Sequence, residues 1–196
     1  LKMKKLQISK VIPYMIVIIM VIIGTILSDN FLSVRNFTNI IKYSVEATLI
    51  AVGMTFIILT GGIDLSVGSI LAYASVVSAK LVISGVGIVP VILIVIVIGT
   101  VAGLINGLLI TKAKVEPFMA TLGMMMIMRA MTFLFTGGGP ILGTVPAGFR
   151  NIVRGNALGI PYAVFYVIII LLIAYLTLNR TPFGRHVLAV GGSEET

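Results

Sequence analysis

The chain contains no cysteine and a single histidine, and these two scarcities exclude several kinds of chemistry. Without cysteine there is no disulfide framework, thiolate nucleophile or cysteine-ligated metal. One histidine, His186, cannot build a histidine-rich metal site or an obvious catalytic triad. The sequence also lacks a G-x-x-x-x-G-K-[ST] phosphate loop and a G-x-G-x-x-G turn, which excludes nucleotide hydrolysis by this chain. We therefore expect no cofactor on it.

Charge is also scarce. Only 10% of the 196 residues are charged, against about 25% in a soluble domain. Apolar residues make up 59%, and the mean hydropathy is +1.19. A chain of this composition cannot cover a soluble globule with polar surface, so we predict an integral membrane protein in contact with lipid. The net charge of +8 does not indicate nucleic acid, because the positive residues lie in short loops between hydrophobic runs.

Six hydrophobic runs are long enough, or nearly so, to cross a hydrocarbon layer of about 30 Å. We place these runs at 11–28, 43–60, 69–84, 90–110, 118–135 and 162–178. They predict an all-α membrane protein, a polytopic helical bundle forming one transmembrane domain over residues 1–196. The lysine-rich start resembles a secretory signal, but no small-x-small cleavage site follows the first run, which favours a retained span.

The distribution of lysine and arginine predicts a cytoplasmic N-terminus. With that orientation, most of the fourteen positive residues lie in inner segments, and two lie within spans. A charge at the centre of a bilayer costs about 2.5–3.5 kcal/mol, so each of these two must pair, snorkel or face water. We expect Lys80 to snorkel from the outer end of its span. Arg129 is nearer mid-span and is a candidate for a buried partner or a role at a cavity.

Two connections are longer than a simple turn. Residues 29–42 carry apolar side chains at three-to-four spacing, which predicts a short helix lying in the outer interface. Residues 136–161 are rich in glycine and proline and are predicted to form an outer loop holding a short helix or a docking surface.

The most informative stretch is Gly61-Gly62-Ile63-Asp64-Leu65-Ser66-Val67-Gly68, which separates two strongly apolar runs. A bilayer tolerates such a break only inside protein or beside water, so we predict a broken or re-entrant helix at 61–68. The carboxylate of Asp64 has two compatible interpretations. It caps the helix that follows, with Ser66 as a second acceptor, or it lines a transport path beside the break.

Two further features concern helix packing. Glycines at 99, 103 and 107 share one face of the fourth run, which favours close packing within the subunit, with a subunit interface as the alternative. Asn106 beside them can hydrogen-bond to another helix. The methionines of the fifth run are interpreted as adaptable core filling.

Four stretches together resemble the permease subunits of ribose/galactose/xylose-type ABC sugar importers. They are AVGMTFIILTGGIDLSVGS at 51–69, INGLLIT at 105–111, EPFMATLG at 116–123 and TPFGRHVLAVGG at 181–192. The resemblance identifies the chain as an N-terminal portion of a longer family member. It implies a multi-pass permease in the bacterial cytoplasmic (inner) membrane that forms a sugar pathway by alternating access.

The resemblance also implies the partners. These are a second permease subunit, identical or a sister chain, a tandem cytoplasmic ATPase that binds ATP and Mg²⁺, and an extracytoplasmic sugar-binding protein. Translocation-path candidates are Gly61, Gly62, Asp64, Ser66, Asn106 and Arg129. Candidates for coupling to the ATPase are Arg185, Gly191, Gly192, Glu194 and Glu195, with a docking helix expected to begin near Glu194.

Two alternatives stay open at this stage. An ion-coupled secondary sugar transporter would need an internal repeat and a coupling-ion site, for which Asp64 is the only plausible acidic residue. An integral membrane enzyme would need a nucleophile with its base, or metal ligands, and His186 lies in a predicted cytoplasmic segment.

Overall fold

A computed structural model describes residues 8–157 and 159–192. These residues form an all-α protein, as the sequence predicts, and include one minimal strand pair that was not predicted. The helices are α1 (Ile8–Leu27), α2 (Val34–Leu59), α3 (Val67–Ile83), α4 (Ile88–Thr111), α5 (Pro117–Thr136), α6 (Ala147–Arg154), α7 (Tyr162–Arg180) and α8 (Pro182–Gly192). Strands β1 (Asn156–Ala157) and β2 (Ile160–Pro161) pair antiparallel between α6 and α7. The chain divides into two compact units, one ending at Ser44 and the other beginning at Val45.

Four helices are long and apolar enough to cross a membrane, namely α2, α4, α5 and α7, and α1 and α3 include shorter apolar stretches. Along α1, α4 and α7 most large apolar side chains are exposed. In water such a surface would be unstable, whereas lipid or further protein can cover it. The described part of the chain is therefore a polytopic membrane protein.

In the first unit, the turn after α1 leads directly into α2. The ring of Phe31 packs so closely on Gly24 that a Cβ there would lie 2.5 Å from it. Ser33 then caps α2, because its Oγ accepts the backbone N–H of Asn36 at 3.2 Å. The separate interfacial helix predicted at 29–42 is not present. Residues from Val34 onward continue as one 26-residue helix, because extending a helix costs less than nucleating a second one.

In the second unit, α3 packs against α4 and α5, and these three helices hold the core. Its centre is Ala102, Met124 and Met128, with Ile70 and Tyr73 packed against it. Methionine therefore fills the core on one face of α5, as predicted. Methionines on other faces of α5 do not fill the core, because Met119 and Met126 are 68% and 61% exposed.

Lys80 joins the C-terminal ends of α3 and α5 instead of snorkelling away from protein. Its ammonium donates to the carbonyl of Phe135 in the last turn of α5 and lies 4.5 Å from the centre of that residue's ring. The ring in turn meets Tyr73 edge to face, with centroids 6.1 Å apart. A cation at this position also complements the negative end of the helix dipole.

Lys80→Met is expected to lower the stability of the folded protein by about 1–2 kcal/mol, because the stem is kept while the charged hydrogen bond and the cation–π contact are lost. Thermal unfolding in detergent micelles measures the change. Lys80→Arg, which keeps the cation, should unfold close to the wild type. Equal melting temperatures for Lys80→Met and wild type would show that the contact carries no stability.

Candidate functional site

The break between α2 and α3 occupies residues 60–66, close to the predicted 61–68. Two turn hydrogen bonds close the end of α2, from Gly61 N–H to the Ile58 carbonyl at 2.9 Å and from Gly62 N–H to the Ile57 carbonyl at 3.1 Å. Gly61 has φ +77, a conformation that glycine adopts without the steric cost of a side chain. The glycine pair therefore ends one helix, and the next begins only at Val67.

Asp64 is not the N-cap of α3, because Ser66 occupies that position. Instead, its Oδ1 accepts two hydrogen bonds from Ser66, one from the backbone N–H at 2.7 Å and one from the hydroxyl at 2.6 Å. The carboxylate thus fixes the residue that starts the helix. The N-cap is therefore two residues later than the sequence interpretation placed it. That interpretation assumed that the helix begins immediately after the glycine turn.

Ser66 links Asp64 to Asn106 on α4. The Nδ2 of Asn106 donates to the Oγ of Ser66 at 3.0 Å. Because the carboxylate only accepts and the hydroxyl has one proton, that proton goes to Asp64 and the amide must present its NH₂ group. Ser66 is 0% and Asn106 4% exposed, and the Oδ1 of Asn106 has no hydrogen-bond partner among the described residues. The break is therefore tied to α4 by a buried polar chain.

A cavity of about 570 Å³ lies beside the hydrogen-bonded residues Asp64, Ser66 and Asn106, where α2 and α4 end and α5 begins. Of the six predicted path residues, Gly61, Gly62, Asp64 and Asn106 line it. Ser66 lies behind them, bonded to two of the lining residues. Arg129 is exposed on α5 and is not among the lining residues, so a role for it on a path stays a prediction.

The glycine face of α4 contributes to the same cavity. Gly103 and Gly107 line it, and a Cβ added at either glycine, or at Gly99, would meet no described atom within 4 Å. The close helix packing predicted for this face is therefore absent within the described part of the chain. The missing side chains widen the cavity instead.

Sequence reasoning missed other lining residues, among them Thr121, Lys114 and Val190. Thr121 is 1% exposed and donates to the Pro117 carbonyl at 2.8 Å, with the Ile63 carbonyl of the break at 3.4 Å. Lys114 was counted only as an inner positive charge, and Val190 was not considered. Thr121 lies within one of the four motifs, which was the available signal. Nothing in the pattern of residues marked Lys114.

The coupling candidates lie partly on α8, which packs against the end of α2. A Cβ at Gly191 would lie 1.7 Å from the carbonyl oxygen of Leu59, whereas one at Gly192 would meet no atom of the described residues within 4 Å. The rings of Phe183 and Phe56 add a contact, with centroids 6.3 Å apart. Arg185 is exposed on the same helix.

The docking helix expected to begin near Glu194 lies outside the described residues, as do Glu194 and Glu195 themselves. The helix that the structure does describe, α8, ends at Gly192 and includes the glycine pair that sequence reasoning placed before a helix. Helix α8 therefore reaches the break through Gly191, and its Val190 lines the cavity.

Comparison with known proteins gives consistent matches. Residues 36–196 match the family model described as branched-chain amino acid transport system / permease component. The ribose import permease protein RbsC of Bacillus subtilis (strain 168) is 45% identical over 188 residues, covering 95% of this chain and 58% of the relative. The galactose/methyl galactoside import permease protein MglC of Escherichia coli (strain K12) is 36% identical, covering 93% of this chain and 60% of the relative.

A third relative is the D-allose transport system permease protein AlsC of Escherichia coli (strain K12), 34% identical over 93% of this chain and 56% of its own length. No solved structure matches the chain significantly. The chain thus spans between 56% and 60% of the length of these relatives. Because the family model covers most of the chain, the protein belongs to the permease-component family of the branched-chain amino acid transport system type.

Proposed function

We propose that this chain is part of the membrane-spanning permease subunit of an ATP-driven, binding-protein-dependent monosaccharide importer. The observation that carries the proposal is the cavity at the helix break, lined by Asp64 and Asn106 within a largely apolar bundle. Polar side chains at membrane depth are costly and are retained where a polar cargo or water passes. The ribose, galactose and allose permeases to which the chain is similar support a sugar as that cargo.

The cavity opens at the cytoplasmic face in this proposal. The ends of α2 and α4, the start of α5 and Val190 of α8 all meet there. The same end carries Lys112 and Lys114, and an excess of positive loop residues marks the cytoplasmic side. The structure then corresponds to an inward-open state, and the N-terminus lies in the cytoplasm.

The energy for transport comes from a partner in this proposal, because the sequence holds no phosphate-binding loop. A tandem ATPase binds ATP and Mg²⁺ at the cytoplasmic face, and a binding protein delivers sugar outside. A second permease subunit completes the pathway. ATP binding shifts the population between outward- and inward-open states, and this shift moves the sugar without tight binding in the permease.

The proposal is tested with the intact permease in proteoliposomes, together with the candidate ATPase and binding protein from neighbouring reading frames. ATP is enclosed on the ATPase side, and the binding protein with labelled ribose is added on the other. We expect ribose to accumulate only when ATP and both partners are present. Ribose accumulation that a proton gradient drives without the ATPase would support the ion-coupled transporter instead.

Labelled leucine provides the second cargo in the same assay, because the matching family model is described by branched-chain amino acid transport. Uptake of leucine in place of ribose would overturn the sugar assignment while leaving the ATP-driven mechanism intact. Uptake of neither cargo with every partner present would contradict the proposed function as a whole.

A further inference from the structure

Lys114 has a backbone conformation that side chains rarely adopt. Its φ is +57, the only positive φ at a non-glycine residue in the described part of the chain. It lies in the turn after α4, where Ala113 N–H bonds to the Leu108 carbonyl at 3.2 Å and Val115 N–H to the Leu109 carbonyl at 3.0 Å. Glycine is the usual residue at such a left-handed position after a helix. A lysine here is strained, and strain of this kind concentrates at functional sites.

Lys114 lines the cavity at the helix break, and Asp64 is the other charged residue among those that line it. No ion pair within 4.0 Å joins the two charges. Lys114 is also exposed, so a molecule entering from solution can reach its ammonium. The described wall thus carries one positive and one negative group, and their charges sum to zero.

The threonine hydroxyls on this wall have already used their hydrogens. The hydroxyl of Thr60 donates to the Ile57 carbonyl at 2.8 Å, and that of Thr111 donates to the Gly107 carbonyl at 2.7 Å. Thr121 likewise donates within its own helix. Each of these hydroxyls keeps only lone pairs for a cargo, and the Asp64 carboxylate also only accepts. Asn106 gives one of its two amide hydrogens to Ser66, and its Oδ1 has no partner among the described residues. Apart from Lys114, the wall is therefore rich in acceptors and poor in donors.

We propose that Lys114 is a cargo-binding residue of this cavity and that the cargo it recognises is a neutral polyhydroxylated molecule. Every hydroxyl of such a molecule is both a donor and an acceptor. The threonine oxygens and Asp64 accept its hydrogens, and the three N–H groups of Lys114 donate to its oxygens. The inference rests on the proposed function, since it names the residue that completes recognition in the same cavity.

A glycine substitution at position 114 distinguishes the effect of the backbone conformation from that of the ammonium group. Lys114→Gly relieves the left-handed strain, so its melting temperature should equal or exceed that of wild type. Its ATP-driven ribose uptake should fall about ten-fold or more, as expected when a hydrogen bond to a charged group is lost. Lys114→Arg keeps a cationic donor and should retain most uptake. Lys112→Gly removes an exposed lysine from the same turn that does not line the cavity, and should stay within about two-fold.

The rate of ATP hydrolysis separates cargo binding from coupling. For a cargo-binding residue, Lys114→Gly should keep ATP hydrolysis stimulated by the binding protein while moving less ribose for each ATP. Hydrolysis that falls in parallel with uptake would overturn the proposal, because Lys114 would then act on coupling. Uptake by Lys114→Gly equal to that by Lys112→Gly would overturn it as well.

A labelling experiment decides the inference even if wild type transports nothing. The purified permease is treated with an amine-reactive acetylating reagent, and modification of each lysine is followed by mass spectrometry. Millimolar ribose should slow modification of Lys114 and leave that of Lys112 unchanged. Leucine should give no such protection. Equal labelling of Lys114 with and without ribose would contradict the inference, whereas failed uptake with clear protection would contradict only the proposed function.

Discussion

Gly191→Ala is expected to destabilise the permease by about 1–3 kcal/mol, the range for forcing an extra methyl into a packed contact. The added Cβ would lie 1.7 Å from the carbonyl oxygen of Leu59 and 2.9 Å from its carbonyl carbon. Backbone atoms cannot turn away as a side chain can, so α8 must separate from the end of α2. Because this contact adjoins the break at Gly61, we expect ribose uptake to fall further than stability alone would require.

Gly192→Ala is the matched control for this prediction. Both glycines lie in the last turn of α8, so alanine brings a similar gain in helix propensity at each. At Gly192 the new methyl meets no atom within 4 Å in the part of the chain that the structure describes. The difference between the two variants therefore isolates the contact with Leu59. Thermal unfolding in detergent and ribose uptake for each ATP hydrolysed are the measurements. Indistinguishable variants would show that neither stability nor uptake depends on the contact between Gly191 and Leu59.

The break itself could be predicted because it depends on local chemistry. Two apolar runs separated by Gly61 and Gly62 are sufficient to place it, and the structure differs only by a residue or two at each end. The start of α2 could not be placed in the same way. The amphipathic pattern from residue 31 onward indicates a helix on the surface, but periodicity does not show whether that helix stops before the next apolar run or continues into it.

The contacts of the site depend on residues far apart in the chain. Ser66 and Asn106 are 40 positions apart, and no local pattern indicates that their side chains meet. Lys114 was missed as a lining residue for a different reason: its positive charge is visible in the sequence, but its left-handed backbone is not. The sequence therefore named Asn106 and most lining residues on the break, but it did not predict the bond from Asn106 to Ser66 and it missed Lys114 and Thr121.

Ser66→Ala is expected to destabilise the permease by about 1–3 kcal/mol, the cost of leaving buried polar groups without partners. The hydroxyl is the central link of the buried chain, since it donates to Asp64 and accepts from Asn106. The Oδ1 of the Asn106 amide already lacks a partner in the described part of the chain, and without the hydroxyl its Nδ2 also loses a hydrogen bond. Ser69→Ala is the matched control, because its hydroxyl is also buried and donates only to the Ser66 carbonyl one turn away.

The effect of Ser66→Ala should depend on Asn106, which distinguishes a polar network from ordinary packing. Asn106→Leu removes the unpartnered oxygen and leaves the bond from Ser66 to Asp64 in place, so alone it should cost less than Ser66→Ala. The double variant should be more stable than the sum of the single changes by about 0.5–3 kcal/mol, since the alanine no longer faces an unsatisfied amide. Chemical denaturation of the four proteins in detergent measures this coupling. Additive effects, or a Ser69→Ala variant as unstable as Ser66→Ala, would show that the Asp64–Ser66–Asn106 chain does not hold the break against α4.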